Sequence, residues 1–220
     1  YWVDIVNKRP DGLVVVSNIT EGAKREVESV QAAIEPDLLY PLLRGRDVKR
    51  WKAKPSTWII TPQDFLDQKH GLPEKQLQTQ FPKSYLYLKK FQKILETRPA
   101  YVKYLRGEPF YSLYDIKGYT FTLYKVVWKG FGVSAMSVAV VSHSEGKPIM
   151  TNQAMHPFIS LDNLNEAHYV CALMNSAPFN FTVQSHTQKG GKSFAQPNIL
   201  ENIRIPKFDS TDKVHQELAG

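Results

Sequence analysis

Short apolar runs bounded by turn residues predict strands in the first part of the chain. Residues 13–16 follow the turn-forming residues 10–12, which predicts a hairpin or a strand after a turn. Residues 58–61 lie between Pro55 and Pro62 and predict a buried strand. Residues 21–33 are polar and charged, and this composition is compatible with either a short helix or an exposed loop.

Apolar residues at three- and four-residue spacing predict two helices. In residues 82–104 the face opposite the apolar stripe is basic. In residues 163–175, Asn163 and Glu166 resemble a capping box at the start, and Pro178 ends the helix. The apolar stripes consist of Leu88, Phe91, Ile94 and Leu95 in the first helix and of Ala167, Val170, Cys171 and Met174 in the second.

Short strand-like runs follow the first helix and predict a meandering antiparallel sheet. These runs are residues 110–114, 119–121, 125–128, 136–141 and 149–150. Two further strands are predicted after the second helix, at residues 179–183 and 203–206. The chain shows no internal repeat, so the predicted fold is one α+β domain with a mixed, mostly antiparallel sheet and a few packed helices.

Composition excludes several classes of protein. With 220 residues and 42% apolar side chains, the chain is long and apolar enough to bury a core. It has a single cysteine, Cys171, which excludes an internal disulfide framework and a cysteine-rich zinc module. The six histidines are scattered, without the spacing typical of a zinc site. No apolar run approaches the roughly 18 residues that span a membrane, which excludes a membrane-spanning protein. From the single cysteine we expect a cytoplasmic protein, and from the scattered histidines a protein without a metal site.

The net charge of +7 is concentrated in two places. A basic segment (residues 44–54) has six basic side chains and one acidic, and residues 83–106 have seven basic and one acidic. Clusters of Lys and Arg neutralise phosphates, so the basic segment is typical of a nucleic-acid-binding face. A solvated surface loop explains its charge equally well, and the sequence leaves both interpretations open.

Two other places offer polar or basic side chains for DNA. Lys125 and Lys129 flank an apolar run, as if a strand left its positive ends accessible. A glycine-rich turn then places Lys189 and Lys192 near Gln188, whose amide is suited to pairing with adenine. His186 and Asn198 lie nearby, but such residues are also common in ordinary turns.

Two competing functions are compatible with the sequence. Restriction-type nucleases use an Asp/Glu-x-Lys triplet to bind magnesium, and residues 115–117 and 145–147 match it. Neither triplet has a well-spaced Pro-Asp partner before it, and such triplets arise by chance. The predicted helix at residues 163–175 could instead dock a methyltransferase or nuclease subunit. We assign no catalytic residue in this chain.

The order of several motifs resembles the C-terminal specificity domain of the TaqI-like N-6 adenine DNA methyltransferases, including the single-chain type IIG restriction-modification enzymes. The motifs lie at residues 39–48, 58–60, 82, 85–88, 95–98, 121, 124–128, 166–176 and 203–206. Each motif is loose, whereas their order and spacing are more specific.

The resemblance implies a target recognition domain that binds duplex DNA and directs a separate N-6 adenine methyltransferase domain of the same polypeptide. Residues 1–35 would lead into a core at residues 36–207, and residues 208–220 would begin a truncated helix that has not yet packed on anything. The family's Asn-Pro-Pro-Tyr motif and glycine-rich cofactor loop are absent from the sequence. S-adenosylmethionine is therefore expected in the catalytic domain of a longer parent, and we expect no cofactor in this chain.

The expected DNA contacts come from three segments of this sequence. They are Arg44, Arg46, Lys49, Arg50, Lys125, Lys129, Gln188, Lys189 and Lys192. A structural role remains open for two residues of the best-matching motif, because Asp47 could pair with a neighbouring arginine and Gly45 could serve a turn. Phosphate contacts position a protein and base contacts specify the sequence, and the amino-acid pattern does not assign these residues between the two.

Overall fold

The computed structural model describes residues 1–22, 26–64, 70–130, 135–152, 158–187 and 194–220. The strands of these residues are, in chain order, β1 (Trp2–Lys8), β2 (Val14–Asn18), β3 (Gln31–Ile34), β4 (Leu39–Leu43), β5 (Val48–Lys49), β6 (Lys52–Ala53), β7 (Thr57–Ile60), β8 (Tyr124–Trp128), β9 (Val138–Val141), β10 (His143–Ser144), β11 (Lys147–Pro148), β12 (Met150–Thr151) and β13 (Phe158–Leu161). The helices are α1 (Glu74–Gln80), α2 (Pro82–Lys89), α3 (Gln92–Glu96), α4 (Pro99–Tyr104), α5 (Leu164–Met174), α6 (Ala177–Ser185), α7 (Pro197–Leu200) and α8 (Lys213–Ala219). The α+β prediction is confirmed.

The chain forms two compact units, each with its own apolar core. Unit 1 comprises Tyr1–Tyr40 and Thr57–Gly118. Unit 2 comprises Pro41–Ser56 and Tyr119–Gly220. Among the described residues, no helix is both long and apolar enough to cross a lipid bilayer.

The sheet of unit 1 is antiparallel, in the order β7-β1-β2-β3. Its first hairpin is the predicted one: the Arg9 amide donates to the Leu13 carbonyl over 2.8 Å, and Gly12 takes a φ of 83° that favours glycine. Strand β7 confirms the strand that was predicted at residues 58–61, between Pro55 and Pro62. The described residues of the stretch 21–33 form no helix: residues 26–30 have no regular structure, and residues 31–33 belong to β3, which pairs with β2.

Residues 82–104 form the short helices α2, α3 and α4, so the prediction of one helix is wrong. Pro99 has no amide hydrogen and opens α4, which interrupts the helical ladder there. Arg98 precedes this break and donates to the carbonyls of Leu95, Phe110 and Ser112 over 2.8–3.0 Å. Arg98, one of the basic residues counted in residues 83–106, therefore holds backbone carbonyls of unit 1 in place.

Unit 2 is built on an antiparallel sheet in the order β13-β8-β9, with α5 packed on it. Helix α5 confirms its predicted start, because the Asn163 side chain accepts a hydrogen bond from the Glu166 amide over 3.2 Å. Its apolar side belongs to the core of the unit, and Cys171 is buried there as predicted. Burial raises the pKa of the Cys171 thiol to about 11, so the group is unreactive at neutral pH.

Unit 2 also contains a parallel strand pair, so the protein has both parallel and antiparallel pairing. Met150 and Thr151 of β12 pair with Leu42 and Leu43 at the end of β4. The prediction of a strand near residues 149–150 is confirmed, but this strand does not continue the antiparallel meander. The strands predicted at residues 125–128 and 136–141 are confirmed as β8 and β9.

Several strand predictions are wrong. Residues 179–183 lie in helix α6, where the Ser176 hydroxyl accepts a hydrogen bond from the Phe179 amide and Pro178 stands in the first turn. Pro178 therefore belongs to the start of α6, where proline is favoured. It does not end α5, which already stops at Met174. Residues 119–121 lie in a 3-10 turn, and residues 110–114 and 203–206 have no regular structure.

Helix α8 is packed within unit 2, contrary to the expectation that it stops before packing. The ring of His215 lies 4.5 Å from the ring of Tyr169 on α5, measured between centroids. The Tyr169 hydroxyl lies 3.1 Å from the Pro206 carbonyl and 3.3 Å from Nε2 of His215. These contacts attach the carboxyl-terminal segment to the main helix of the unit.

Candidate nucleic-acid interface

The basic segment (residues 44–54) begins with a turn that Asp47 holds in place. The Asp47 carboxylate accepts a hydrogen bond from the Arg44 amide over 2.7 Å, and the Asp47 amide donates to the Arg44 carbonyl over 2.9 Å. The Asp47 side chain is only 6% exposed, whereas the neighbouring Arg46 side chain is 61% exposed and its Nε lies 4.0 Å from the carboxylate. The structural role left open for Asp47 and for Gly45, which starts this turn, is confirmed.

After this turn the segment folds into the β5–β6 hairpin, whose two faces differ. Val48 pairs with Ala53, and both pack with Val127 and Ala139 in an apolar cluster of unit 2. The next pair along the hairpin is Lys49 with Lys52, and both of these side chains are exposed. Alternation along each strand therefore directs the apolar pair inward and the lysine pair outward.

The outward lysine pair is unfavourable in the isolated chain. Like charges that lie directly opposite across a strand pair destabilise it. Arg46 and Lys54, both exposed, add to the same sign of charge. A negatively charged ligand bound at this face would reduce the repulsion.

The tip of the hairpin consists of Arg50 and Trp51. Trp51 has a φ of 68°, a conformation that favours glycine or asparagine, and the residue is 57% exposed. The guanidinium of Arg50 lies 5.4 Å from the centroid of the Trp51 ring. An exposed indole beside a guanidinium is a surface on which a planar ligand can stack.

Asn175, just after helix α5, anchors this tip. Nη2 of Arg50 donates to the Asn175 carbonyl over 2.9 Å, so one donor of this predicted DNA contact is already used. The Asn175 side chain exchanges two hydrogen bonds with the backbone of Val138, at 3.1 and 2.9 Å. The Val138 carbonyl also accepts from the Trp51 amide over 2.8 Å. The tip is therefore bound to both β9 and the end of α5.

Lys125 does not have the accessible charge that its sequence context predicts. Its side chain is only 1% exposed, and Nζ donates to the Thr122 carbonyl over 2.9 Å. Burial lowers the pKa of this amine to about 8. The expectation of an accessible lysine is wrong here because the central strand β8 is covered on both faces, and residues 125–128 are all buried. Lys129, just beyond the strand, is half-buried.

The other predicted contacts fall into two groups. Arg44, Arg46, Lys49 and Arg50 lie together in the basic segment, with Arg44 half-buried and the others exposed. Gln188, Lys189 and Lys192 lie outside the described residues. The sequence-based assignment also missed Lys52 and Trp51 as candidate contacts. The four residues between Val48 and Ala53, three of them basic, were the signal that could have predicted this exposure.

The two nuclease triplets have local structural explanations. Glu145 and Gly146 have φ values of 51° and 74° and form the two-residue turn between β10 and β11, the backbone that type I′ hairpins need. In the other triplet, Nζ of Lys117 lies 3.1 Å from Asp115. Within the described part of the chain, no three His, Cys, Asp or Glu side chains are grouped as metal ligands.

The apolar stripe of α5, which suggested a docking helix, is explained by packing within unit 2. The buried side of α5 packs in the core of unit 2, through Ala167, Cys171 and Met174. Tyr169 is covered by Phe208 and His215. The apolar stripe that suggested a docking surface is thus used to hold the unit together.

Comparison with known proteins identifies a relative with a stated activity. The Type II methyltransferase M.NspV of Nostoc sp. (strain ATCC 29411 / PCC 7524) is 26% identical to this chain over 145 residues. The chain is similar to part of a type II methyltransferase. This similarity supports a methyltransferase-related, restriction-modification context for the protein. No protein-family model matches the chain.

The similarity covers very different shares of the two proteins. It extends over 66% of this chain but only 28% of the relative. The chain thus matches little more than a quarter of the length of the methyltransferase. The activity of the relative belongs to a much longer polypeptide.

Proposed function

We propose that this chain is a duplex DNA recognition domain that directs a separate N-6 adenine methyltransferase domain to its target site. The observation that carries the proposal is the β5–β6 hairpin, which packs its apolar pair inward and presents Lys49 and Lys52 outward. Arg46 extends this basic surface with its mostly exposed side chain. The similarity to part of a type II methyltransferase supports the proposal, because a protein that modifies DNA needs a basic surface that binds phosphates.

The exposed cations of the basic segment would bind phosphates. Lys and Arg that neutralise phosphates release counterions, so their contribution to affinity falls as salt concentration rises. Arg46 has a planar guanidinium and is also suited to guanine in the major groove. Asp47 keeps the turn in shape without facing the DNA, because its carboxylate is bonded to the Arg44 amide.

The catalytic parts would be supplied by a methyltransferase domain of the same polypeptide, with S-adenosylmethionine bound there. Within the described residues, a cavity of unit 1 does not fit that cofactor: it is lined largely by apolar side chains such as Val3, Leu88 and Phe91, and no acidic side chain lines it. Nucleoside sites commonly use an acidic residue to bind the ribose hydroxyls. We therefore derive no methyl-transfer step from this chain.

DNA binding at several salt concentrations tests the proposed function. We expect the 220-residue chain to bind labelled duplex DNA in a fluorescence anisotropy titration, with affinity that falls steeply as salt increases. In Arg46→Ala/Lys49→Ala the slope of log affinity against log salt should become shallower by about two, because about 0.9 is lost per phosphate contact. Affinity in moderate salt should fall roughly tenfold or more.

Lys213→Ala provides the matched control. Lys213 is also an exposed basic residue of unit 2, but it lies on α8, away from the basic segment in the sequence. This variant should keep the wild-type slope. A chain without salt-dependent binding to any duplex would refute the proposed function, and an unchanged slope in the double variant would remove Arg46 and Lys49 from the interface.

A further inference from the structure

Trp51 combines a backbone conformation that is unfavourable for a bulky residue with a large apolar ring exposed to solvent. A bulky residue with a φ of 68° is rare, and such a conformation is associated with functional sites. The residue is 57% exposed, which leaves much of the indole in water. Glycine would suit the backbone and a polar residue would suit the solvent, so neither local preference explains tryptophan at this position.

The surroundings of Trp51 hold its backbone in this conformation. The Trp51 amide donates to the Val138 carbonyl, and the adjacent Arg50 donates to the Asn175 carbonyl. The buried side chain of Asn175 in turn bonds both backbone groups of Val138. Because these bonds restrain the backbone, the ring is presented to solvent with little further loss of conformational entropy on binding.

The charges around the ring identify the ligand that fits it. Arg50 lies against the indole, and Lys49 and Lys52 form the pair directly below the tip. A flat apolar ring framed by cations matches a nucleobase flanked by its phosphates, because bases stack on aromatic rings while lysines neutralise the backbone. An acidic peptide would satisfy the cations but would leave the indole without a planar partner.

We propose that Trp51 stacks on a base of the bound DNA, at a step that the hairpin tip opens. This inference rests on the proposed DNA-binding function and adds a contact of a different kind. Side chains inserted at a base step unstack the duplex locally and kink it. Stacking involves no counterion release, so Trp51 should raise affinity by a similar factor at every salt concentration.

Two substitutions separate stacking from charge. Trp51→Gly removes the ring and suits the positive φ, so we expect an unfolding midpoint no lower than that of the wild type. Its affinity for duplex DNA should fall roughly tenfold at each salt concentration, with the salt slope unchanged. Trp51→Phe keeps an aromatic ring and should bind within about threefold of the wild type, because stacking tolerates a change of ring.

Phe181→Ala is the matched control, because Phe181 is also an exposed aromatic residue of unit 2, at 74% exposure. We expect its affinity to equal that of the wild type. Tryptophan emission gives a second measurement: duplex DNA should quench the emission of the wild-type chain, and the quenching should be absent in Trp51→Phe. This measurement remains informative even if Trp51→Gly does not fold.

The outcomes separate this inference from the proposed function. If the wild type binds DNA with the expected salt dependence but Trp51→Gly binds equally well, the stacking contact is refuted and the recognition function stands. A changed salt slope in Trp51→Gly, or Trp51→Phe as weak as Trp51→Gly, would also refute it. If the wild type binds no duplex at any salt concentration, the proposed function itself fails.

Discussion

Lys125 shows at the scale of a single residue how burial changes the chemistry of a basic side chain. Its position between apolar neighbours on β8 leaves it 1% exposed, with the Phe158 ring centroid 6.0 Å from Nζ. The lowered pKa, about 8, means that burial of the charged amine opposes folding, fully below that pH and progressively less up to the ordinary pKa of 10.5. This lysine therefore has a cost to stability that an exposed lysine lacks.

Replacing Lys125 by methionine should stabilise the protein at neutral pH. The folded pKa of about 8 lies below the ordinary value of 10.5, so between these two values the unfolded chain binds more protons than the folded one. Stability contributed by this group therefore rises with pH through that interval. We expect Lys125→Met to raise the free energy of unfolding at pH 7 by about 1–3 kcal/mol, since the lost bond to Thr122 offsets part of the gain.

Urea unfolding at pH 7, 8, 9 and 10 measures this effect. The advantage of Lys125→Met over the wild type should shrink as pH rises, because the wild-type amine loses its charge. Lys129→Met, just beyond the same strand, is the control and should keep the pH dependence of the wild type. An advantage that stays constant from pH 7 to pH 10 would contradict the assignment of the effect to the buried charge.

Glu35 is a second residue whose role depends on a distant part of the chain. Its carboxylate accepts hydrogen bonds from the Lys83 and Ser84 amides at 3.0 and 2.8 Å and from the Ser84 hydroxyl at 2.6 Å. Burial raises the pKa of Glu35, but the bonds from Ser84 and Lys83 outweigh it, and the net pKa is lowered. The carboxylate thus caps the first turn of α2.

Glu35→Gln should lower the free energy of unfolding by about 1 kcal/mol at pH 7, because it removes the charge from that cap. Since the folded pKa of Glu35 is lowered, its contribution is present above the unfolded pKa and is lost as pH falls through the folded pKa. The difference from the wild type in urea unfolding should therefore disappear in acid. Glu28→Gln, at an exposed glutamate of the same unit, should show no such difference.

At the scale of elements, the β5–β6 hairpin depends on helix α5. Asn175 follows that helix and is buried, and its side chain bonds both the amide and the carbonyl of Val138. The same carbonyl holds Trp51, and the Asn175 carbonyl holds Arg50. One asparagine therefore links the end of a helix, the start of a strand and the tip of the hairpin.

Asn175→Ala should lower the free energy of unfolding by about 2–4 kcal/mol, because it leaves two buried backbone groups of Val138 with fewer partners. Urea unfolding measures the loss, and Asn198→Ala, at an exposed asparagine of α7, is the control that should stay within about 0.5 kcal/mol of the wild type. Affinity for duplex DNA should fall as well, as the hairpin tip loses its anchor. An Asn175→Ala chain as stable as the wild type would show that the backbone of Val138 finds other partners.

At the scale of the whole molecule, the positive charge is divided between the two compact units. The basic segment lies in unit 2, and the basic residues of α2, α3 and α4 lie in unit 1. Some of the latter have internal contacts: Arg98 bonds three backbone carbonyls, and Nζ of Lys89 lies 5.8 Å from the Tyr85 ring and 4.0 Å from Glu74. A count of charges along the sequence therefore overstates what unit 1 offers to a polyanion.

We expect the two basic regions to contribute unequally to DNA binding. Lys90→Ala/Lys93→Ala removes two exposed lysines of unit 1 and should change the salt slope by less than Arg46→Ala/Lys49→Ala does. The same anisotropy titrations measure both variants. An equal or larger change in the unit 1 variant would place the main DNA contact in that unit.

The sequence by itself determined the α+β class, the first hairpin, β7, β8, β9 and the start of α5, because turn residues, alternation and caps act over a few neighbouring positions. It also located the basic segment. Only the tertiary structure decided that residues 82–104 break into short helices, that residues 179–183 are helical, and that Lys125 is buried. The anchoring of Trp51 depends on Val138 and Asn175, residues distant in sequence, and no local pattern encodes contacts between such residues.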